Sequence, residues 1–212
     1  MNRIPVLPTV LVGIAIAAMI ALGVWQLQRR AEKEAQLVQY ARNVTLPPVA
    51  FPRIPVDEDG SLLFRRASAF CLQPVSFRIE GGRNARGGTG WRQIAECRTG
   101  AEGPGFTVQI GFGRDPHAKP IWKGGPVRGY ISHVPGHAPL IASALGGAPK
   151  MLMLVADPPA AGLDPNPAPD LSAVPNNHLA YAVQWFVFAA IAAIIYALAL
   201  RRRTVAPAAP PR

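Results

Sequence analysis

Histidine and cysteine are the residues of this 212-residue chain that are best suited to bind a metal or a prosthetic group. There are four histidines, and three of them, His117, His133 and His137, lie in the middle of the chain among turn-forming residues. His133 and His137 have the spacing of a helical metal pair, but Pro135 between them excludes the helix that this spacing requires. We therefore predict that these three are loop histidines.

The fourth histidine, His178, has a different setting. It follows Asn176 and Asn177 and precedes a long apolar run, so it would lie at a membrane boundary, where an ionisable group is costly. A neutral imidazole there could ligate haem iron, with Tyr181 and Trp185 supplying an apolar wall. The alternative is a hydrated interfacial residue beside a helix cap formed by one of the asparagines.

Motifs of the common enzyme classes are missing from the sequence. It has no G-x-S-x-G elbow, no G-x-x-x-x-G-K phosphate loop and no H-E-x-x-H pair. Gly111-Phe112-Gly113 lacks the third glycine of a dinucleotide-binding loop and is more typical of a strand end. We therefore expect no catalytic residues, and a membrane-anchored hydrolase or oxidoreductase is the alternative that these absences count against.

Two long uncharged apolar runs, 9–27 and 179–200, must position His178 and its neighbours. At about 1.5 Å per helical residue, each run is long enough to cross the hydrocarbon core of a bilayer. Pro5 and Pro8 precede the first run, where proline is compatible with a helix start. A cleaved signal peptide is the alternative for this run, but it continues into Arg29 without an A-x-A cleavage site.

The positive charge of the chain is concentrated beside these runs. The formal net charge is +10, yet residues 31–175 carry fifteen Lys and Arg against twelve Asp and Glu. Nucleic-acid binding is not expected, because this middle region has no basic helix and no basic and aromatic stripe. Arg201, Arg202 and Arg203 predict a cytoplasmic C-terminus, although Arg29 and Arg30 favour the opposite orientation. We predict that both termini are cytoplasmic.

Between the spans, the sequence predicts a helix and then a small β domain. Residues 28–43 are rich in strong helix formers, whereas the region that follows has β-leaning runs separated by glycine and proline. We expect the strands to pair antiparallel. The predicted strands are 62–79, 90–97, 106–112, 127–134 and 151–156.

The fold class predicted from these patterns is an α+β membrane protein, with two transmembrane helices flanking a β-rich antiparallel domain. We place it in the bacterial plasma membrane, with the central domain in the periplasm. The predicted parts are a short cytoplasmic N-terminus (1–8), a first span (9–27), a helical extension (28–43), the β-rich domain (44–157), a proline-rich linker (158–178), a second span (179–200) and a basic cytoplasmic tail (201–212).

The two cysteines, Cys71 and Cys97, fall on neighbouring predicted strands of the β domain. In an oxidising compartment they could form a disulfide, which would stabilise the domain by roughly 3 to 4 kcal/mol. Two unpaired buried thiols are the alternative. Their spacing matches neither C-x-x-C nor C-x-x-C-H, so we expect no zinc or copper site and no covalently attached haem.

Each span also has a face suited to contact with the other. On the first, Gly13, Ala17 and Ala21 recur every four residues as a small-residue ridge, and Trp25 lies one step beyond. The second has an aromatic and small-residue face, made of His178, Tyr181, Ala182, Trp185, Ala189, Ala192 and Tyr196. Packing between the helices and an aromatic interfacial belt explain this face as well as a ligand does.

Two segments near the ends of the chain form a recognisable pair. One is 23–30, Gly-Val-Trp-Gln-Leu-Gln-Arg-Arg, followed by Lys33. The other is 176–181, Asn-Asn-His-Leu-Ala-Tyr, followed by Trp185-Phe186. Together they resemble the Surfeit locus 1 family of cytochrome c oxidase assembly proteins. The middle matches loosely, because the family segment Val-Asn-Arg-Gly-Trp-Val is expected near 107–115, where this chain has Gln-Ile-Gly-Phe-Gly-Arg-Asp at 109–115.

The resemblance implies a non-enzymatic assembly factor that binds haem a non-covalently and aids its insertion into oxidase subunit I. The family's proposed iron ligand falls on His178. Other candidate haem-contacting residues are Tyr181, Trp185, Trp25, Gln26 and Arg29. Arg29 and Arg30 share a helical face with Gln26 and could pair with haem propionates, although interfacial anchoring explains the same charges.

The partners implied are cytochrome c oxidase subunit I and the lipid bilayer, with haem a synthase as a further candidate. The alternative function is a haem-free membrane scaffold that holds oxidase subunits during biogenesis.

Overall fold

The computed structural model describes residues 5–57, 59–100, 105–117, 120–136 and 150–205. The chain divides into two compact units, one formed by 1–35 and 175–212 and the other by 36–174. Helix α1, Val6–Thr45, contributes to both units, and helix α2, His178–Val205, belongs to the first. His137 and the other residues between 136 and 150 lie outside the described part.

Both helices are long and apolar enough to cross a membrane. Only 6% of the apolar window of each helix is buried, so their leucine, isoleucine and valine side chains are largely uncovered. A helix satisfies its backbone hydrogen bonds internally, and such an apolar outer surface suits lipid rather than water. Two candidate membrane-spanning helices thus support a membrane protein.

In the part of α1 that belongs to the helical unit, the residues that are not exposed recur at alternating intervals of three and four from Thr9 onward: Thr9, Val12, Ile16, Met19, Gly23, Gln26, Arg30 and Lys33. This spacing is the seam of a helix that packs lengthwise on another. The small-residue ridge predicted for α1 is wrong, because Gly13, Ala17 and Ala21 are exposed. Helix packing here uses the neighbouring face, where Gly23 lets a large side chain of α2 approach.

On α2 the corresponding seam is the face predicted from the sequence, apart from one residue. Ala182 and Ala189 are buried, and Trp185 and Tyr196 are half-buried. Tyr181 is 51% exposed and lies off this seam. A hydroxyl contact joins Thr9 of α1 to Tyr196, which pairs the start of α1 with the far end of α2 and makes the two helices antiparallel.

The second unit is a single sheet that follows the end of α1. Its strands are β1 Val49–Ala50, β2 Val56–Asp57, β3 Arg66–Cys71, β4 Gln73–Arg83, β5 Thr89–Arg98, β6 Phe106–Gly113, β7 Gly125–His133 and β8 Lys150–Ala156. Each run predicted to be a strand contains one, but 62–79 is interrupted at Leu72 and yields both β3 and β4. His133, predicted to lie in a loop, is the last residue of β7.

The strand order is β1-β3-β7-β8-β6-β5-β4, with β2 paired to β8 outside this order. The sheet is mixed rather than purely antiparallel, because β1 pairs with β3 and β6 pairs with β8 in parallel. In this order β8 lies between β7 and β6, and it pairs antiparallel with β7 and parallel with β6.

A disulfide between Cys71 of β3 and Cys97 of β5 joins two strands that are far apart in the strand order. Because only Leu72 separates β3 from β4, and its backbone N–H donates to the Arg98 carbonyl of β5 at 2.9 Å, the sheet curls back on itself here. The closed sheet encloses the core of this unit. Core side chains include Ile94, Val108, Ile110, Ile131, Leu152 and Leu154.

Part of the segment predicted to be a linker packs onto this sheet. Asp164 exchanges two backbone hydrogen bonds with Phe112 at 2.8 and 2.9 Å. Asn166 is buried, and its side chain accepts from Gln109 and donates to the carbonyls of Gln109 and Ala156. These contacts join residues 160–167 to the sheet, and they belong to the β domain. Separating them from it would expose a buried amide and break its hydrogen bonds, which is costly.

Candidate functional site

The structure brings together two of the sequence-predicted site residues in the helical unit, His178 and Gln26. The Nδ1 atom of His178 lies 2.8 Å from Oε1 of Gln26 on α1. A side-chain amide oxygen only accepts hydrogen bonds, so His178 donates from Nδ1, and in the neutral imidazole the lone pair is then on Nε2. Both side chains are half-buried, and the hydrogen bonds of the described residues leave Nε2 unengaged.

The elements that hold this pair explain why it forms. His178 is the first residue of α2, where the chain enters the helix, and Gln26 lies on the contact seam of α1. One turn before Gln26, Gly23 contacts the ring of Phe186, and a Cβ at Gly23 would lie 2.6 Å from Cε1 of that ring. A larger residue at position 23 would therefore displace the Phe186 ring or push the helices apart near the imidazole.

Trp25 and Arg29 form a separate pair on the exposed side of α1. The guanidinium carbon of Arg29 lies 5.7 Å from the centroid of the Trp25 ring, within cation–π range. Arg29 also forms an ion pair with Glu32 at 2.8 Å, with both side chains more than half exposed. Such an exposed pair contributes little to stability, so Arg29 can exchange Glu32 for another anion.

Tyr181 and Trp185 differ in their surroundings. Trp185 lies two helical turns after His178 on the same seam, and its ring is edge-on to Phe188 with centroids 6.2 Å apart. Tyr181 is half exposed and lies away from the seam. The structure therefore places Trp185 on the His178 face and separates Tyr181 from it.

The hydrogen bond of His178 is of the kind that an iron-ligating histidine would need. Iron-ligating histidines typically coordinate through one ring nitrogen while the other donates to an oxygen acceptor, which fixes the tautomer and raises the basicity of the ligand. The hydrogen bond to Gln26 supplies that arrangement. Within the described residues there is no group of three His, Cys, Asp or Glu side chains that could hold a metal ion without a macrocycle.

The model of the SURF1 family matches residues 13–190 of the sequence, which include α1 from Gly13 onward, the whole β domain and the first half of α2. The chain belongs to the SURF1 family. The SURF1 family is associated with cytochrome oxidase assembly and is not a known enzyme family. A comparison with curated protein sequences finds no match.

Membership of the SURF1 family accounts for the two sequence signatures recognised at 23–30 and 176–186. They are more than 140 residues apart in the chain, yet the structure places Gln26 beside His178 and Gly23 beside Phe186. The contact between Gly23 and Phe186 was not predicted from the sequence. The spacing of three residues between Gly23 and Gln26 was the signal that could have placed both on one helix face.

Proposed function

We propose that this protein binds haem a non-covalently through His178 and aids its insertion into oxidase subunit I. The observation that carries the proposal is the hydrogen bond from His178 Nδ1 to Gln26, because it orients the imidazole and leaves a lone pair on Nε2. Bound haem would supply an iron centre with an open coordination position for this nitrogen. Family membership supports a role in oxidase assembly.

Other residues of the helical unit have proposed supporting roles. Trp185 offers an apolar aromatic surface on the same seam as His178. Arg29 is proposed to pair with a propionate in place of Glu32, with Trp25 holding the guanidinium from its other side. Tyr181 is half exposed, so it is proposed only as a contact at the edge of the site.

The proposed location follows from the disulfide and the flanking charges. A disulfide between buried cysteines persists in oxidising compartments, which supports a periplasmic β domain. The arginines after the second span support cytoplasmic termini in a bacterial plasma membrane. In this arrangement haem a synthase and subunit I, both proposed partners, would meet the protein within the bilayer.

The test is visible spectroscopy of protein purified in detergent from hosts with and without haem a synthase. We expect wild type to carry a Soret band only when haem a is made, and His178→Ala to lose it. Gln26→Leu should retain less haem and shift the band, because the His178 imidazole then lacks its hydrogen-bond acceptor. The matched controls are His117→Ala and Gln28→Leu, which alter exposed residues outside the seam and should keep the wild-type spectrum.

Two results would refute the haem proposal. An unchanged Soret band in His178→Ala excludes this histidine as the iron ligand. Colourless wild-type protein that still captures subunit I from a host making haem a would instead establish the haem-free scaffold. Far-ultraviolet circular dichroism of each variant, which should match wild type, separates loss of haem from loss of fold.

A further inference from the structure

Strand β4, Gln73–Arg83, stands at one end of the strand order of the β domain. One side of it pairs with β5, and among the described residues no strand pairs with the other side, which we call the β4 edge. The β5 residues opposite its middle, Gln93, Ile94 and Ala95, are buried, whereas β4 itself has no buried residue. The unpaired backbone N–H and C=O groups of such an edge can form hydrogen bonds with a strand of another chain.

Only the first residues of β4 carry the features that usually prevent this pairing. Proline at 74 has no N–H to donate, and Val75 is an extra residue where the register with β5 shifts. Residues 76–82 contain no proline and keep a regular register with β5. This open stretch is as long as an ordinary strand in a sheet, so it is sufficient for strand pairing.

The order of charges in the open stretch is complementary to itself. When 76–82 pairs antiparallel with the same stretch of a second copy, Ile79 is central and lies opposite Ile79 of that copy. Arg78 then lies opposite Glu80 of the second copy, and Glu80 opposite its Arg78. Opposite charges directly across an antiparallel pair stabilise it, so the charges favour this register.

Within one chain, Arg78 and Glu80 make only a loose ion pair. The Nη1 atom of Arg78 lies 3.6 Å from Oε1 of Glu80, and the arginine side chain is 41% exposed. Such a pair contributes little to stability. The guanidinium also has further N–H donors, which leaves it able to bind the carboxylate of a second copy.

The sizes of the side chains are complementary in the same register. Phe77 is 38% exposed, and it would lie opposite Gly81 of the second copy, where no side chain competes for the space. A Cβ at Gly81 would lie 3.8 Å from Cζ3 of Trp91, so the Trp91 ring borders this space. The Phe77 ring can therefore pack beside Trp91 of the second copy, which removes exposed aromatic surface from water.

We propose that this protein forms a dimer in which the β4 edges of two copies pair antiparallel about Ile79. The sheet of each β domain then continues into the sheet of the other. The β4 edge contains none of the residues proposed to bind haem, so dimer formation and haem binding are separate properties, and either proposal can fail without the other.

The first test is cross-linking of full-length protein in proteoliposomes with a short bismaleimide. Ile79→Cys places a thiol at the centre of the pairing, where it meets the same thiol of the second copy. Ser76→Cys is the matched control, because in this register the two thiols are displaced along the strands by six residues, about 20 Å. Cys71 and Cys97 are bonded to each other and do not react. We expect a covalent dimer with Ile79→Cys and not with Ser76→Cys.

The second test uses charge reversal and sedimentation velocity in detergent. Arg78→Glu and Glu80→Arg each place like charges opposite one another in a dimer of identical copies, and each should weaken dimerisation by about tenfold or more. An equal mixture of the two variants has opposite charges across the pairing, so it should dimerise nearly as well as wild type. Arg86→Glu makes the same change of charge at an exposed residue outside β4 and should have no effect.

The mixture separates the proposed contact from an effect on folding. Like charges at 78 and 80 within each chain persist in the mixture, so recovery of the dimer can arise only between chains and shows that both variants are folded. Three results would each overturn the proposal: wild type that remains monomeric at every concentration, equal cross-linking of the two cysteine variants, and a mixture that dimerises no better than either variant alone. A monomer that pairs with a different protein through the β4 edge falls under the first.

Discussion

Replacing Cys71 and Cys97 by alanine removes the disulfide that cross-links the curled sheet. The two cysteines are 26 residues apart in sequence, and their side chains are 0% and 2% exposed. The bond connects β3 to β5, which lie at separate positions in the strand order. Its loss therefore frees the corner at Leu72, where the sheet closes.

The magnitude follows from the length of the loop. In the chain-entropy model, closing a loop of this length restricts the unfolded chain enough to stabilise the domain by about 3.5 kcal/mol at 25 °C. A domain of ordinary stability has about 5 to 15 kcal/mol in total, so the loss is a large fraction of it. Alanine also leaves small voids, since both sulfurs are buried, and these add to the cost.

The assay is urea unfolding of the full-length protein in detergent, followed by tryptophan fluorescence. Trp91 and Trp122 lie in the β domain and report its unfolding, whereas Trp25 and Trp185 lie in the apolar helices, which detergent protects. Wild type that has been unfolded, reduced and refolded under reducing conditions is the matched control, because it keeps both sulfur atoms and lacks only the cross-link.

We expect reduced wild type to unfold with about 3.5 kcal/mol less free energy than oxidised wild type, and the double alanine variant to be slightly less stable again. A difference below about 1 kcal/mol between oxidised and reduced protein would refute the reasoning, since effects on the unfolded ensemble would then outweigh the loop term.

Two further predictions concern polar groups that the β domain buries. Asn166→Ala should lower the free energy of unfolding by about 2 to 4 kcal/mol, because it leaves Gln109 and the Ala156 carbonyl without partners; a loss below about 1 kcal/mol in the same urea assay would contradict this. Burial, with a further contribution from Asp157, raises the pKa of Tyr130 from 10.0 to about 12, and its hydroxyl donates to the Pro167 carbonyl. The folded state holds this proton more tightly than the unfolded state. The contribution of the Tyr130 proton to the free energy of unfolding is therefore fully present below pH 10 and is lost as the pH rises to 12. Between these pH values, the free energy of unfolding of Tyr130→Phe should therefore fall by roughly 2 kcal/mol less than that of wild type. Identical pH profiles of unfolding for the two proteins would show that Tyr130 does not carry the effect.

Much of the helical unit is predictable from the sequence because its signals are local. An uncharged apolar run long enough to span a bilayer can be recognised without knowing its neighbours, and the small and aromatic face of α2 follows from helical periodicity. The choice of face on α1 is not local. The ridge at Gly13, Ala17 and Ala21 has suitable residue types, but the side that contacts α2 is decided by where Phe186 and His178 lie.

The β domain shows the same division between local and long-range information. Alternating apolar residues and turn formers predict where strands occur, but they do not indicate which strands pair with one another. The parallel pairing of β6 with β8, and the return of 160–167 onto the sheet, depend on contacts between residues distant in the chain. Gln93 illustrates the limit, since nothing near it in sequence distinguishes it from an exposed glutamine.

One can recognise from the residues alone two apolar helices, a β domain between them, one pair of cysteines and a histidine at the start of the second helix. The folded structure is needed to show that Gln26 accepts from that histidine, that the cysteines meet, and that the amide oxygen of Gln93 is buried without a partner among the described residues. The physical reason is that propensity and periodicity act over a few residues, whereas hydrogen bonding and burial at these sites depend on segments brought together by folding.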